Sequence, residues 1–156
     1  LERYPEKDFE GVYFQVPGIE EGYLSDERVA HKNFISQLRD TLYFSDVTIN
    51  TASTMTLDAI ACARPVINIC FDWEKRPYYK SVKRFYDLIH LQPIVKFNKK
   101  NMANSKENLI NLIERSLKAP NLDQDGRKNI ENLMLAGNSK DASKKIALSI
   151  VNKVYS

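Results

Sequence analysis

Residues 65–71 have the sequence Pro-Val-Ile-Asn-Ile-Cys-Phe, a strand pattern too apolar to leave one face in water. Such strands are typical of parallel sheets that helices cover on both faces. Upstream, Asp46–Asn50 predicts a shorter strand and Thr54–Ala63 a short helix. Strands and helices that alternate with short links predict parallel strands joined by right-handed crossovers. We therefore expect an α/β fold, a Rossmann-like three-layer domain with a mostly parallel sheet and closing C-terminal helices.

Further elements are predicted on both sides of this unit. β-Branched and aromatic residues predict a strand at Val12–Val16, and apolar spacing predicts a helix from Ser25 to about Phe44. A helix is expected over Tyr78–Leu91 and a last strand over Pro93–Phe97. The helix over 78–91 is expected to turn four residues inward, namely Val82, Phe85, Leu88 and Ile89. Three closing helices carry apolar stripes at Leu109, Ile113 and Leu117, at Ile130, Leu133 and Met134, and at Ala142, Ile146, Ile150 and Val154.

Composition limits the function classes. The 156 residues, 43% of them hydrophobic, suit one globular domain, and we expect residues 1–156 to be a single nucleotide-binding domain. No apolar run reaches membrane-spanning length and no signal-peptide pattern opens the chain, so we expect a cytoplasmic protein. Cys62 and Cys70 lie in apolar segments and predict buried free thiols, so neither a metal nor a cofactor is expected. P-loop, GxGxxG and Ser-His-Asp patterns are absent from the sequence.

The turn after the first strand of this unit is rich in small polar residues. Thr51–Thr54 lies where ligands bind in open parallel sheets, beyond the carboxyl end of a strand. The first N–H groups of a helix lack internal partners and suit a phosphate, and the hydroxyls of Ser53 and Thr54 can donate to it as well. Asp58, one turn further, can accept hydrogen bonds from ribose hydroxyls. The alternative is that Ser53 or Thr54 only caps the helix and that Asp58 is a solvated first-turn acid.

The segment from Ser45 to Ala59 has the sequence Ser-Asp-Val-Thr-Ile-Asn-Thr-Ala-Ser-Thr-Met-Thr-Leu-Asp-Ala and continues to Arg64-Pro-Val-Ile-Asn68. It resembles the donor-binding segment in the carboxy-terminal domain of GT-B fold glycosyltransferases. It is also similar to CDP-glycerol glycerophosphotransferases and UDP-N-acetylglucosamine 2-epimerases. The resemblance implies that Ser53 and Thr54 contact the donor diphosphate, with Thr51 and Met55 beside them, and that Asp58 contacts the ribose. Two departures are Asp58, where Glu is usual, and Ala63-Arg64, where Gly-Lys or Gly-Arg is customary.

The resemblance also implies the reaction and its partners. Arg3-Tyr4-Pro5 is similar to an Arg-x-His-Pro element of such enzymes, which makes Arg3 a candidate substrate contact. The implied function is transfer from a nucleotide-activated donor, such as a UDP-sugar, to an acceptor in cell-envelope biosynthesis. A GT-B active site lies between two domains, so we expect this chain to be a fragment that lacks its N-terminal acceptor domain and is inactive alone. Glycerophosphate transfer, nucleotide-sugar epimerisation and a non-catalytic phosphate-binding module are the alternatives.

A basic and aromatic stretch follows the apolar strand. Residues 73–84 contain five basic residues and three aromatic ones, a composition that can contact a phosphorylated acceptor or an anionic membrane surface. Basic and aromatic residues in such a stretch can also bind single-stranded nucleic acid, but we expect no nucleic-acid partner. The alternative is a partly exposed helix with solvated charges. Asp72, at the carboxyl end of the strand, is a candidate substrate-binding residue, although carboxylates at such positions also cap helices.

Overall fold

The computed structural model describes residues 11–12, 33–135 and 141–154, with the backbone alone for residue 142. The chain divides into two compact units, Leu1–Asp40 and Thr41–Ser156. The sheet and the candidate site both belong to the second unit. Three of the predictions fall wholly or largely outside the described residues: the substrate contact at Arg3, the strand at Val12–Val16 and the first part of the helix from Ser25.

The described elements follow one another in an α/β order. They are α1 (Phe34–Phe44), β1 (Thr48–Asn50), α2 (Met55–Ala61), β2 (Val66–Ile69), three short 3₁₀ helices (Tyr78–Lys80, Val82–Asp87 and Ile89–Leu91), α3 (Gln92–Phe97), another 3₁₀ helix (Lys99–Asn101), β3 (Met102–Ala103), α4 (Lys106–Lys118), α5 (Gln124–Met134) and α6 (Ala142–Val154).

The three strands form one parallel sheet in the order β1-β2-β3. Ile49 pairs with Ile67 in the first ladder, and Ile69 pairs with Ala103 in the second. The predicted α/β class and the parallel sheet are therefore confirmed, and the arrangement is compatible with a Rossmann-like fold. Because all three strands run in the same direction, their carboxyl ends meet at one edge of the sheet.

The two faces of the sheet are covered differently. On one face Ile67 packs with Ala103 and with Leu112 of α4 in an apolar cluster. On the other face Asn68, which is fully buried, donates to Asn50 Oδ1 at 2.8 Å and to Thr56 Oγ1 of α2 at 2.8 Å. Buried amides are tolerated where their hydrogen bonds are made, so this network fixes α2 against β1 and β2.

The same polar network extends to α3. Asn98, which follows α3, donates from Nδ2 to Asn68 Oδ1 at 2.8 Å and to the Val66 carbonyl at 3.1 Å. Asn101 donates to Asn98 Oδ1 at 2.9 Å and accepts from Arg115 of α4 at 2.6 Å. A chain of side-chain hydrogen bonds thus connects α2, the end of α3 and α4 to the sheet.

The end of α2 contains a strained residue. Ala63 has φ of +58°, in the left-handed region that favours glycine. Its N–H donates to the Ile60 carbonyl at 2.8 Å, and the Arg64 N–H donates to the Ala59 carbonyl at 2.9 Å. These two bonds form a Schellman motif with Ala63 in the place where glycine is usual. The departure from glycine seen in the sequence therefore coincides with a position that prefers glycine.

The predicted strand over Pro93–Phe97 is wrong, because these residues belong to helix α3. Pro93 lies in the first turn of this helix, where the missing N–H has no partner to lose. The third strand of the sheet is instead Met102–Ala103, which follows the predicted strand by four residues. A two-residue strand is too short to show a recognisable pattern in sequence.

The predicted single helix over Tyr78–Leu91 is also wrong, since three 3₁₀ helices occupy this segment. Ser81 and Leu88 have extended ψ angles of 144° and 133°, and these interrupt any continuous helix. Tyr86 and Leu91 are buried in place of the expected inward residues, whereas Phe85, Leu88 and Ile89 are exposed.

The three closing helices are confirmed as α4, α5 and α6. Leu112 and Ile130 are the buried apolar residues of α4 and α5. In α6 the predicted stripe residues Ile146, Ile150 and Val154 are exposed. Among the residues that the structure describes, no helix combines the length and the apolar character that crossing a membrane requires.

Candidate functional site

Polar and charged residues collect where the three strands end. The turn Thr51–Thr54 follows β1, the segment from Cys70 follows β2, and Asn104 and Ser105 follow β3. Since β1 and β2 are hydrogen-bonded neighbours, the predicted phosphate turn and Asp72 lie at the ends of adjacent strands. The structure therefore brings both sequence candidates to the same edge of the sheet.

The hydroxyl of Tyr86 ties the turn to β2. The Ala52 N–H donates to this oxygen at 2.9 Å, and the hydroxyl donates to the Ile69 carbonyl at 2.8 Å. Ala52 has φ of +35°, so the turn has an unusual backbone that the tyrosine holds in place. Burial raises the pKa of Tyr86 far above its usual value, which keeps this hydroxyl protonated.

The amino end of α2 uses most of its own donors. Met55 N–H donates to Ser53 Oγ at 3.1 Å, Thr56 N–H to the Ser53 carbonyl at 3.1 Å, and Leu57 N–H to the Thr54 carbonyl at 2.8 Å. The expectation of unpaired N–H groups is therefore wrong for Met55 and Leu57. Ser53 acts as the cap that the alternative interpretation described.

Some donors of the turn stay open to a ligand. In the described part of the chain, the N–H groups of Ser53 and Thr54 have no hydrogen-bond partner. The side chain of Thr54 is exposed and makes no capping bond. Thr51 and Asp58 are also exposed. That these residues contact the diphosphate and ribose of a donor stays a prediction.

Asp72 has a structural task. Its carboxylate accepts from the Ser81 hydroxyl at 2.5 Å and from the Val82 N–H at 2.9 Å, so it caps the 3₁₀ helix that begins at Val82. These two bonds, the Ser81 hydroxyl first, lower the pKa of Asp72 below its usual value. The carboxylate thus organises the segment beyond β2, as the capping alternative described, while it also lines a cavity.

A cavity of about 480 Å³ opens beside Asp72. Three cations line it, Lys75, Arg76 and Lys83, together with the indole of Trp73. Trp73 is the single tryptophan of the chain and is 72% exposed. The cavity has the size of an ordinary small-molecule site, and its cations and exposed ring suit an anion that carries a flat group. Its lining residues are Phe71, Asp72, Trp73, Glu74, Lys75, Arg76, Tyr78, Ser81, Lys83 and Asn104.

Comparison of the chain with protein-family models, with curated proteins and with solved structures gives no match. Function is therefore inferred from the chemistry of this edge.

Two further cavities share Asn104 with the cavity beside Asp72, since this residue lines all three. One, of about 290 Å³, includes Lys106, whose Nζ lies 5.4 Å from the centre of the Trp73 ring. The other, of about 580 Å³, includes Lys96 and Lys99. The edge beyond β2 and β3 therefore offers cations over a wider surface than one phosphate needs.

Two residues of this edge are not recognisable as site residues from sequence. Tyr86 falls within the predicted continuous helix and outside its expected inward set, whereas in the structure the helix is interrupted at Ser81 and Tyr86 is buried. Asn104 precedes Ser105, whose hydroxyl accepts from the Asn108 N–H at 3.1 Å and caps α4. A serine at this position is a helix start signal that could have directed attention to Asn104. Within the described residues, no group of three His, Cys, Asp or Glu side chains is arranged to hold a metal ion.

Proposed function

We propose that this chain is the donor-binding half of a GT-B type glycosyltransferase, and that it binds a nucleoside-diphosphate sugar at the carboxyl edge of its sheet. The observation that carries the proposal is the cavity beside Asp72, where three cations and an exposed indole lie together. This is the position at which open parallel sheets bind ligands. The resemblance of residues 45–72 to donor-binding segments supports the same edge.

The charges of the cavity suit the leaving group of such a reaction. When a sugar is transferred, negative charge grows on the departing diphosphate, and positioned cations stabilise it. Lys75, Arg76 and Lys83 supply these cations, and the open N–H groups of Ser53 and Thr54 supply further donors. Helix α2 has only seven residues, so side-chain cations carry more of this task than its dipole. In this proposal the acceptor and the catalytic base come from a second domain.

The base or the sugar of the donor can stack on Trp73. Aromatic stacking contributes about 1–3 kcal/mol for a nucleic-acid base. Lys106 already lies over the indole, and the ring is still largely exposed. Because no other tryptophan is present, its fluorescence reports directly on a ligand in the cavity.

Titration with UDP, CDP, GDP and ADP tests the proposal. We expect one of them to quench Trp73 fluorescence and to shift the amide NMR signals of Ser53, Thr54 and Met55. Replacement of Arg76 or Lys83 by alanine should weaken binding about tenfold or more, because a hydrogen bond to a charged group contributes about 1.5–3 kcal/mol. Lys118→Ala is the matched control, since Lys118 ends α4 about 18 Å from the edge at which that helix starts.

The result that would contradict donor binding is the absence of saturable quenching by every nucleotide, or an equal loss of affinity in Lys118→Ala. The double variant Ser53→Ala, Thr54→Ala tests the turn separately. If it binds as well as the unaltered chain, the cavity alone holds the ligand.

The non-catalytic module is the second candidate, and the Ser53 cap favours it. A hydroxyl that already accepts from Met55 N–H at 3.1 Å has less capacity for a phosphate. Binding of inorganic phosphate as tightly as any nucleotide would support the module, because a donor site also recognises the nucleoside. A preference for one nucleotide over another would support the transferase.

A further inference from the structure

The segment that follows β2 is positively charged. Residues 73–90 contain five basic and two acidic residues, which gives this segment a net charge of +3. The other 138 residues contain 18 basic and 18 acidic residues, and the whole chain has a net charge of +3. Residues 73–90 therefore have a net positive charge of their own, to which an anionic surface would be attracted.

Part of this segment does not line the cavity beside Asp72 and is apolar as well as basic. We call it the 79–89 surface. It consists of six exposed residues, none of which lines the cavity beside Asp72: Tyr79, Lys80, Arg84, Phe85, Leu88 and Ile89. Ile89 is 88% exposed and Tyr79 is 64% exposed. Side chains of this size are seldom left in water together without a partner.

Contacts within the segment hold these residues in one patch. The Tyr78 hydroxyl donates to the Asp87 carboxylate, which joins the 3₁₀ helix at Tyr78–Lys80 to the end of the one at Val82–Asp87. Two buried residues anchor the segment: the Ser81 hydroxyl donates to the Asp72 carboxylate, and the Tyr86 hydroxyl donates to the Ile69 carbonyl. Arg84 and Phe85 lie between these anchors, and Tyr79, Lys80, Leu88 and Ile89 flank them; all six are exposed.

The cations of the patch lie against aromatic rings. The Arg84 guanidinium is 4.5 Å from the centre of the Phe85 ring, and Lys80 Nζ is 5.7 Å from the centre of the Tyr79 ring. Such pairs combine an apolar body with a charged end. This combination is the one that side chains at a membrane interface use, with the apolar part below the headgroups and the charge among them.

We propose that the 79–89 surface binds an anionic lipid membrane. Basic residues near a membrane gain from its negative surface potential, and Tyr, Phe and Ile gain from burial at the headgroup boundary. Single-stranded nucleic acid would use the cations and the rings, but Leu88 and Ile89 would gain little from it. The aliphatic side chains therefore favour a lipid surface. The proposal does not depend on donor binding, because the two sets of residues are separate.

Sedimentation of the chain with vesicles tests this. We expect binding to phosphatidylcholine vesicles in which a third of the lipid is phosphatidylglycerol, and weak binding to phosphatidylcholine alone. Lys80→Ala with Arg84→Ala should weaken binding about 30-fold, and Ile89→Ala about tenfold. The matched controls are Lys118→Ala with Lys128→Ala for charge and Leu133→Ala for exposed apolar area; they should bind as the unaltered chain does.

Competitors separate the sources of negative charge. Glycerol phosphate at millimolar concentration should not displace the chain from vesicles, because a free headgroup offers no apolar boundary. Displacement by it would overturn the membrane proposal, and so would equal binding to both vesicle types. Binding of single-stranded RNA that Ile89→Ala leaves unchanged, with no vesicle binding, would assign the patch to nucleic acid. Nucleotide quenching of Trp73 should persist in the Lys80, Arg84 and Ile89 variants, so failure of either proposal is recognised separately.

Discussion

The hydroxyl of Tyr86 bonds both the turn after β1 and the end of β2, and its removal is the sharpest test of the site. It accepts from Ala52 N–H at 2.9 Å and donates to the Ile69 carbonyl at 2.8 Å. The ring is buried, with 7% of its surface exposed, so water cannot easily replace the lost oxygen in Tyr86→Phe. The variant keeps the ring and its packing, and removes these two hydrogen bonds.

The magnitude follows from those bonds. Each contributes about 0.5–1.5 kcal/mol net, and an unsatisfied partner in a buried site adds to the loss, so we expect about 2 kcal/mol less stability. For a unit of roughly 100 residues this lowers the melting temperature by about 8 °C. Urea unfolding, followed by circular dichroism, measures the change. Tyr79→Phe is the matched control, because its ring is exposed and the same atom is removed. It should change stability by less than about 0.5 kcal/mol.

The pH dependence gives a second signature. Because the pKa of Tyr86 is raised above its ordinary value of 10.0, the folded state retains a proton that the unfolded state loses. The contribution of this group to stability is therefore complete below pH 10 and declines as the pH rises further. Tyr86→Phe should remove this part of the alkaline decline. Burial also raises the pKa of Cys70, and its share of the decline should remain. Equal stability losses in Tyr86→Phe and Tyr79→Phe, or unchanged alkaline profiles, would refute this reasoning.

Three further substitutions test the frame of the site. Ala63→Gly should stabilise the protein by about 0.5–1 kcal/mol in urea unfolding, since it relieves a left-handed alanine, while Ala61→Gly inside α2 should destabilise it by a similar amount; the same sign for both would contradict the Schellman assignment. Gly126→Ala should cost about 1–3 kcal/mol, because the new Cβ would lie closer than 3.0 Å to the Phe97 carbonyl oxygen; a gain from helix propensity would show that α3 and α5 can separate freely. Asp72→Asn should reduce the loss of unfolding free energy at acid pH. The lowered pKa of Asp72 gives stability that is present above its ordinary value of 3.8 and is lost as the pH falls below it. If the unfolding free energies of the variant and the unaltered chain change with pH in the same way, the cap is disproved.

The strand-turn-helix-strand unit could be predicted from sequence because local and long-range signals agree there. Residues 65–71 are apolar enough to require burial on both faces, and β2 occupies Val66–Ile69 within them. The turn residues before α2 are poor helix formers that favour caps, and Ser53 does cap the helix. The same pattern could not show whether the first N–H groups were free, since that depends on a short hydroxyl contact rather than on residue type.

The segment from Tyr78 to Phe97 could not be predicted, because distant contacts decide its backbone. Its apolar residues recur at helical spacing, but Asp72 binds the Ser81 hydroxyl and the Val82 N–H and so starts a new helix in mid-segment. Tyr86 is then drawn inward by the Ile69 carbonyl. Pro93–Phe97 is predicted as the last strand, whereas in the structure Pro93 lies in the first turn of α3. The helix-forming tendency of a short segment contributes little free energy by itself. Hydrogen bonds to distant residues therefore decide the backbone of this segment.

The source of anion affinity at the sheet edge is therefore a matter of side chains more than of main chain. Helix α2 has seven residues, and most of its first N–H donors are already bonded, so the N–H groups of Ser53 and Thr54 remain for a ligand. Residues 73–90, after β2, have a net charge of +3. The two sources respond differently to salt. Attraction by exposed lysine and arginine weakens as the Debye length falls from about 10 Å at 0.1 M to about 3 Å at 1 M salt, but short N–H contacts to a phosphate are screened much less. A steep loss of nucleotide affinity with rising salt would thus locate the diphosphate among Lys75, Arg76 and Lys83. A weak dependence on salt would locate it at the turn Thr51–Thr54.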